Sequence, residues 1–218
     1  MSAPLRVGVI GLGARCVIAE NCHKATIPAE LVGGCDPNPA MRQRATEVLG
    51  DYPWFETLDE LLELGIDCAI VTSPDDTHED ITCALLEAGV AVYLEKPIAI
   101  TIEGSDRVLE TAYRTKTPLY VGHNMRHMAV VRILRQVVQD GLIGEVRAIW
   151  CRHFVGNGGD YYFRDWHADR SRTTGLLLQK AAHDIDVMNW LSDSVPERVV
   201  GMGDLMLYGK LSDRSGQK

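Results

Sequence analysis

No run of lysines and arginines interrupts this sequence. Lys and Arg together number 22 against 30 Asp and Glu, a net charge of −8. Phosphate contacts need clustered cations, so nucleic acid is not expected as a partner. No apolar stretch approaches the roughly 18 residues of a membrane span, so no membrane partner is expected either. The opening residues, Met1-Ser2-Ala3-Pro4-Leu5-Arg6, hold no apolar signal core and no cleavage site, and the expected location is cytoplasmic. No two cysteines stand at Cys-x-x-Cys spacing. Cys16, Cys22, Cys35, Cys68, Cys83 and Cys151 are scattered, mostly in apolar stretches, and read as reduced, buried thiols rather than a zinc site or a disulfide framework. Nothing else has metal-ligand spacing, so no metal is expected. No internal repeat or low-complexity segment is present. What remains is an ordinary globular composition, 46% hydrophobic and 24% charged over 218 residues, enough for one to two domains.

The first 122 residues alternate between two periodicities. Short β-branched runs at 6–10, 31–35, 68–72, 91–94 and 119–122 read as strands. Between them, 14–25, 39–49, 58–64, 77–88 and 102–115 read as helices. Strand-helix alternation predicts βαβ units and a doubly wound parallel sheet. The strands are almost continuously apolar, as they are when helices cover both sheet faces. After Gly122 the pattern changes. A helix is expected at 129–140, a strand at 145–155, a loop at 156–174, a helix at 178–191, a strand at 197–208 and a frayed tail at 209–218. The expected domains are therefore a dinucleotide-binding domain at 1–122 and a partial α/β substrate-binding and oligomerisation domain at 123–218. Two strands alone are marginal, so either a partner chain completes that second sheet or the sequence is a fragment of something longer.

The first strand runs into Gly11-Leu12-Gly13-Ala14-Arg15-Cys16. This satisfies Gly-x-Gly-x-x-Gly at its first two glycines and replaces the third with Cys16. The first glycine permits a tight turn, and the second lets the backbone approach a pyrophosphate. The third permits close helix-strand packing, which a small Cys preserves in part. About twenty residues on, the second strand ends in Asp36, the position at which an acid bonds the adenosine ribose. Strand, glycines, helix, strand and acid in this order predict a dinucleotide site at Gly11, Gly13, Ala14, Arg15 and Asp36. A carboxylate at Asp36 favours NAD over NADP, although Arg42 is near enough in sequence to offset a 2′-phosphate, and NADP stays open.

Three further segments carry more information: Val71-Thr72-Ser73-Pro74-Asp75-Asp76-Thr77-His78, Glu95-Lys96-Pro97, and Gln179-Lys180-Ala181-Ala182-His183-Asp184-Ile185-Asp186. With the glycine turn they resemble, in order and spacing, the Gfo/Idh/MocA family of NAD(P)-dependent oxidoreductases. Val121-Gly122-His123-Asn124-Met125-Arg126 is similar to that family's domain crossover. The resemblance spans nearly the whole chain. It implies a Rossmann domain followed by a C-terminal α/β domain with an open, mostly antiparallel sheet that often mediates homo-oligomerisation. It implies sugar, cyclitol or polyol substrates. Ser73, Pro74, His78, Glu95, Lys96, Asn124 and Arg126 become cofactor-site candidates. The resemblance places Lys96 between nicotinamide and substrate and makes His183 the acid/base. Where many members carry Asp four residues before that His, this chain carries Gln179, followed by Lys180. Pro97 is a candidate for a cis bond.

Alcohol oxidation requires loss of a hydride to the cofactor and of a proton to the protein. A His near neutrality suits the proton, and a fixed ammonium suits the developing alkoxide. On the helix around His183, helical spacing puts Leu178, Ala181, Ile185 and Met188 on one stripe, the expected core face. Gln179, His183, Asp186 and Trp190 lie on the other, expected to face solvent or a cleft, with Asp186 or Lys180 assisting the imidazole. In the long loop, Tyr162, Arg164 and Trp166 join Gln179 and His183 as substrate-binding candidates, with loop anchoring an equal alternative for the aromatics. His23, His127 and His153 have no constellation around them. Two other functions stay open: a redox-neutral hydrolase or lyase that uses held NAD, and a non-catalytic dinucleotide-binding protein.

Overall fold

A computed structural model describes residues 3–24, 26–154 and 159–206. Ala25, the last residue of the first expected helix, lies outside these, as do Val155, the loop start at 156–158, and the last expected strand and tail from residue 207. Contacts divide the chain into two units that part between Gly122 and His123.

In the first unit six parallel strands form one sheet in the order β3-β2-β1-β4-β5-β6. The strands are β1 (Leu5–Ile10), β2 (Ala29–Cys35), β3 (Trp54–Phe55), β4 (Cys68–Val71), β5 (Ala91–Leu94) and β6 (Leu119–Val121). The order reverses between β1 and β4, the arrangement of a doubly wound α/β fold. Successive strand residues point to opposite faces. Ile10 packs under one face with Leu61, Val71, Leu85, Leu86 and Leu94. Val9 packs under the other with Leu12, Cys16, Leu31 and Ala45. Both faces are apolar because both are covered, which is why the strands read as continuous runs. The edge strand β3 carries no signal in the sequence, since two residues are too short for a period to show.

Helix starts follow their caps. The Asn38 side chain accepts from Ala40 N at 2.9 Å and opens α1 (Pro39–Leu49), with Pro39 in its first turn. Thr57 and Glu60 form a reciprocal capping box at α2 (Leu58–Leu62). Helix α3 (His78–Glu87) follows β4, and α4 (Ile102–Thr115) is capped by Thr101. The segment Ala14–Lys24, expected as an α-helix, winds instead as a 3-10 helix. No acid supports its first turn, Val17 and Ile18 are β-branched, and its buried residues are the small Cys16 and Ala19.

In the second unit α5 (Ala129–Gln139), α6 (Arg170–Thr173) and α7 (Ala182–Ser192) are joined by short 3-10 turns and a π-helical turn at Leu177–Ala181. The expected antiparallel sheet is not found among the described residues. Residues 145–154 and 197–206 form no ladder, the chain's described strands are all parallel, and Trp150, Val200 and Met202 stand exposed. A strand's hydrogen bonds are made by its neighbours, and no described residue of this unit supplies a neighbouring strand. No described helix is long and apolar enough to cross a membrane.

Cys35, at the end of β2, is 3% exposed, and burial, then the nearby Asp36 charge, pushes its thiol up to about 12. Burial disfavours the thiolate, which is the reactive form. In the folded protein at pH 8, iodoacetamide is expected to modify the exposed Cys151 and spare Cys35; in urea both react. Mass spectrometry of the labelled peptides checks this, and labelling of Cys35 in the native state would contradict it.

Candidate active site

The carboxyl ends of β1, β2, β4 and β5 converge on the glycine turn. Gly11 sits at φ +84°, and a Cβ there would lie 2.5 Å from Ser73 Cα and closer still to Ser73 N. Only glycine fits, so the turn hugs the exit of β4. Thr72 Oγ1 donates to Gly11 O at 2.6 Å and locks that approach. Gly13 is different: a Cβ there would meet nothing within 4 Å. The space beside it is open, as a backbone that receives a pyrophosphate requires. Cys16, in place of the third glycine, is fully buried beside Leu12 and Ala19. Ala14 and Arg15 follow on the exposed side of the turn.

Asp36 reaches back to this turn. Its Oδ2 accepts from Leu12 N and its Oδ1 from Asn38 N, each at 2.8 Å. Each carboxylate oxygen keeps a lone pair for a ribose hydroxyl. Arg42 Nη1 donates to Asp36 O at 2.7 Å, which holds a cation beside the acid. Arg44, a residue the sequence did not single out, donates to Gly13 O at 2.9 Å. From the other side Arg15 pairs with the buried Glu95 through Nε, at 2.9 Å, and Nη2. Glu95 also accepts from Lys96 N at 3.2 Å, and the Lys96-Pro97 bond is cis. Lys96 and Ser73-Pro74 are half-buried at the same sheet end.

His78 is not presented to a cofactor, contrary to expectation. It is 1% exposed, with Nδ1 2.7 Å from Pro97 O and Nε2 3.0 Å from Ser73 O. It ties the β4 exit to the Pro97 loop from inside. The reason is its place in the first turn of α3, which points it into the sheet.

Gln179 and His183, expected on a face turned to solvent or a cleft, are 3% and 8% exposed, whereas of the expected core stripe Ile185 is 41% exposed and Leu178, Ala181 and Met188 are half-buried. Polar side chains can be interior when they pair, as Gln179 does. Gln179 Nε2 meets His167 Nδ1 at 2.9 Å. Asp186 sits beside Arg126 and His123. Its carboxylate accepts from Arg126 Nε at 2.8 Å and Nη2 at 2.5 Å, and lies 3.7 Å from His123 Nδ1. Arg126, expected at the cofactor, is thus held by Asp186 and by Trp190, 5.6 Å below its guanidinium. Asn124 is exposed at the start of the same turn. Lys180 lines a cavity of about 460 Å³ with Leu176, Leu177, Asp184 and His153. His153, which the sequence left without company, meets Asp184 at 2.9 Å. Trp166 stacks on His167 at 3.7 Å, and Tyr162 stands edge-on to Tyr161 at 5.8 Å. Arg164 is half-buried just before that stack. Among the described residues no group of three or more His, Cys, Asp or Glu is arranged to hold a metal ion. Sequence reasoning assigned no role to His123 or Arg135, whose partners lie tens of residues away.

Residues 5–123 match the family model described as the oxidoreductase family with an NAD-binding Rossmann fold, and residues 131–213 match the GFO/IDH/MocA C-terminal domain. The chain belongs to the GFO/IDH/MocA oxidoreductase family. Its NAD-binding Rossmann domain fits the residues just described: a glycine where a side chain would collide, a second beside open space, and an acid at the end of β2. The chain is 30% identical over 197 residues to inositol 2-dehydrogenase of Serratia proteamaculans (strain 568), covering 87% of this chain and 55% of that one. It is 29% identical over 200 residues to glucose-6-phosphate 3-dehydrogenase of Bacillus subtilis (strain 168), covering 89% and 56%. The structure of scyllo-inositol dehydrogenase from Lactobacillus casei with bound NAD(H) and scyllo-inositol matches with a TM-score of 0.74 at 26% identity, over 88% of this chain and 57% of that one. The chain spans about half the length of the curated relatives it matches, 45% to 61%.

The two glycines of this GFO/IDH/MocA turn make separable predictions. Gly11→Ala forces a strained φ against the Ser73 backbone and is expected to cost at least about 1–3 kcal/mol of stability, along with NAD binding. Gly13→Ala has room, so its melting temperature is expected to stay within a degree or two of the parent's, about ±0.5 kcal/mol, while NAD binding weakens. Thermal melts and calorimetry read the two effects apart; equal melting losses in both variants would refute the distinction.

Proposed function

We propose that this chain carries the coenzyme site and part of the substrate site of an NAD(P)-dependent oxidoreductase. Its reaction moves a hydride between nicotinamide and a CH–OH carbon of a sugar-like or polyol substrate. The observation that carries the reading is the glycine turn packed on Ser73 at the point where the sheet order reverses, with Asp36 and Lys96 at the same sheet end. Ligands of doubly wound sheets collect in that crevice. The relatives named inositol 2-dehydrogenase and glucose-6-phosphate 3-dehydrogenase support a polyhydroxylated ring as substrate.

When bound, NAD supplies the hydride acceptor. The chain's own residues handle charge and protons. In this reading the Lys96 ammonium stabilises the developing alkoxide, and His183 takes the hydroxyl proton. Gln179 cannot accept that proton, and its amide is committed to His167. Asp186 acts at one remove, through the groups that hold it. Asp36 bonds the adenosine ribose of NAD, with Arg42 close enough to moderate its repulsion of a 2′-phosphate. Tyr162, Arg164 and Trp166 offer apolar faces and donors to the substrate's alternating CH and OH groups.

Calorimetry with NAD and with NADP tests the coenzyme; absence of heat with both would overturn the proposal. Asp36→Ala removes a charged hydrogen-bond partner, about 1.5–3 kcal/mol, and is expected to weaken NAD roughly ten- to hundredfold while favouring NADP in relative terms. An unchanged NAD-to-NADP preference would contradict the ribose assignment. With a panel of cyclitols and sugars, growth of reduced-nicotinamide absorbance reads turnover. His183→Ala is expected to lower turnover about 10²–10⁴-fold with NAD affinity unchanged; full turnover in that variant would remove His183 from the chemistry. Glycoside cleavage without net cofactor reduction would assign redox-neutral chemistry instead.

A further inference from the structure

His123 is a buried-edge imidazole for which the reaction as described has no use. Its ring centroid lies 6.2 Å from that of His183, with the two planes at 85°. Its Nδ1 lies 3.7 Å from Asp186 Oδ2. Asp186 stands one helical turn beyond His183 on α7, yet its oxygens go to Arg126 and to His123. The Asp186 side chain is only 12% exposed, so its charge is weakly screened by solvent. Arg135, from α5, is committed elsewhere: it donates to Trp190 O at 2.5 Å and to Asp193 at 2.6 Å. His167 meets this stripe one turn earlier through Gln179, and Asp184 pairs with His153. Among the described contacts, the charge beside His123 is that of Asp186, which Arg126 also holds.

We propose that His123 is a positioning residue for His183, an imidazole drawn toward its charged form by Asp186 and set edge-on to His183 so that the second ring stays unprotonated. The inference rests on the reading of His183 as the proton-handling group. The physics is that of like charges at close range. A carboxylate beside His123 favours its imidazolium, and an imidazolium beside His183 disfavours a second one. A neutral His183 can accept a hydroxyl proton, and a charged one cannot. Two imidazoles that interact this way lose their protons in steps that belong to the pair. Asp186 thereby influences His183 through the His123 ring.

The test follows the histidine ring Cε1–H resonances of the full chain by NMR across pH, assigned with His123→Gln and His183→Gln. In the unsubstituted chain each of the two resonances is expected to bend through the midpoint of the other. In His123→Gln the His183 midpoint is expected to move upward, because a neighbouring positive charge has gone. In Asp186→Asn the His123 midpoint is expected to fall. Independent single inflections in the unsubstituted chain, or an unmoved His183 midpoint in His123→Gln, would overturn the proposal. The dispersion of the methyl resonances reports whether the fold persists, and the unsubstituted chain decides the question if the variant does not fold. The readout needs neither coenzyme nor turnover. Absent NAD heat would therefore strike the coenzyme reading alone, and uncoupled titration would strike this one alone.

Discussion

The first unit depends on the approach of two strand exits. Gly11 and Ser73 lie so close that no Cβ fits between them. Around that contact the sheet end is fastened by bonds of long sequence separation. Thr72 holds the Gly11 carbonyl, Asp36 holds the Leu12 amide, Arg15 holds Glu95, and His78 joins the Ser73 and Pro97 carbonyls. Each fastener ties one strand exit to another. The groups that would meet a coenzyme are therefore set before it arrives, so less ordering entropy opposes binding.

The second unit is organised by polar pairing more than by apolar burial. Among its described residues Val131 is the one buried hydrophobic side chain, whereas Thr173, Gln179 and His183 are buried and polar. Asp186 is the hub. It gathers Arg126 and His123, and the guanidiniums of Arg126 and Arg135 lie 5.6 and 5.5 Å from the Trp190 ring. Burying one of these charges without its partner would be costly. The network thus fixes the rotamers around His183 more tightly than packing alone.

Much of the first unit was legible because its signals are local. The five longer strands announce themselves as apolar runs, α4 runs over the residues its periodicity indicates, and the turn glycines precede a strand ending in Asp36. The same locality produced the errors. Periodicity measures which face of α7 is apolar, not which face has company. The polar stripe is interior because Arg126, His123 and His167 arrive from elsewhere. His78 read as a site residue because its sequence neighbours are; its burial comes from the Pro97 loop, nineteen residues away.

The sequence alone determined the alternation that makes a doubly wound sheet, the turn where only glycine fits and the acid at the end of β2, because each rests on residues a few positions apart. Only the tertiary structure decided that β3 exists, that 145–154 and 197–206 pair with nothing described, and that Asp186 answers to Arg126 and His123. Those outcomes depend on partners tens of residues distant. A chain's local pattern offers hydrogen bonds and charges, but the fold chooses which of them meet.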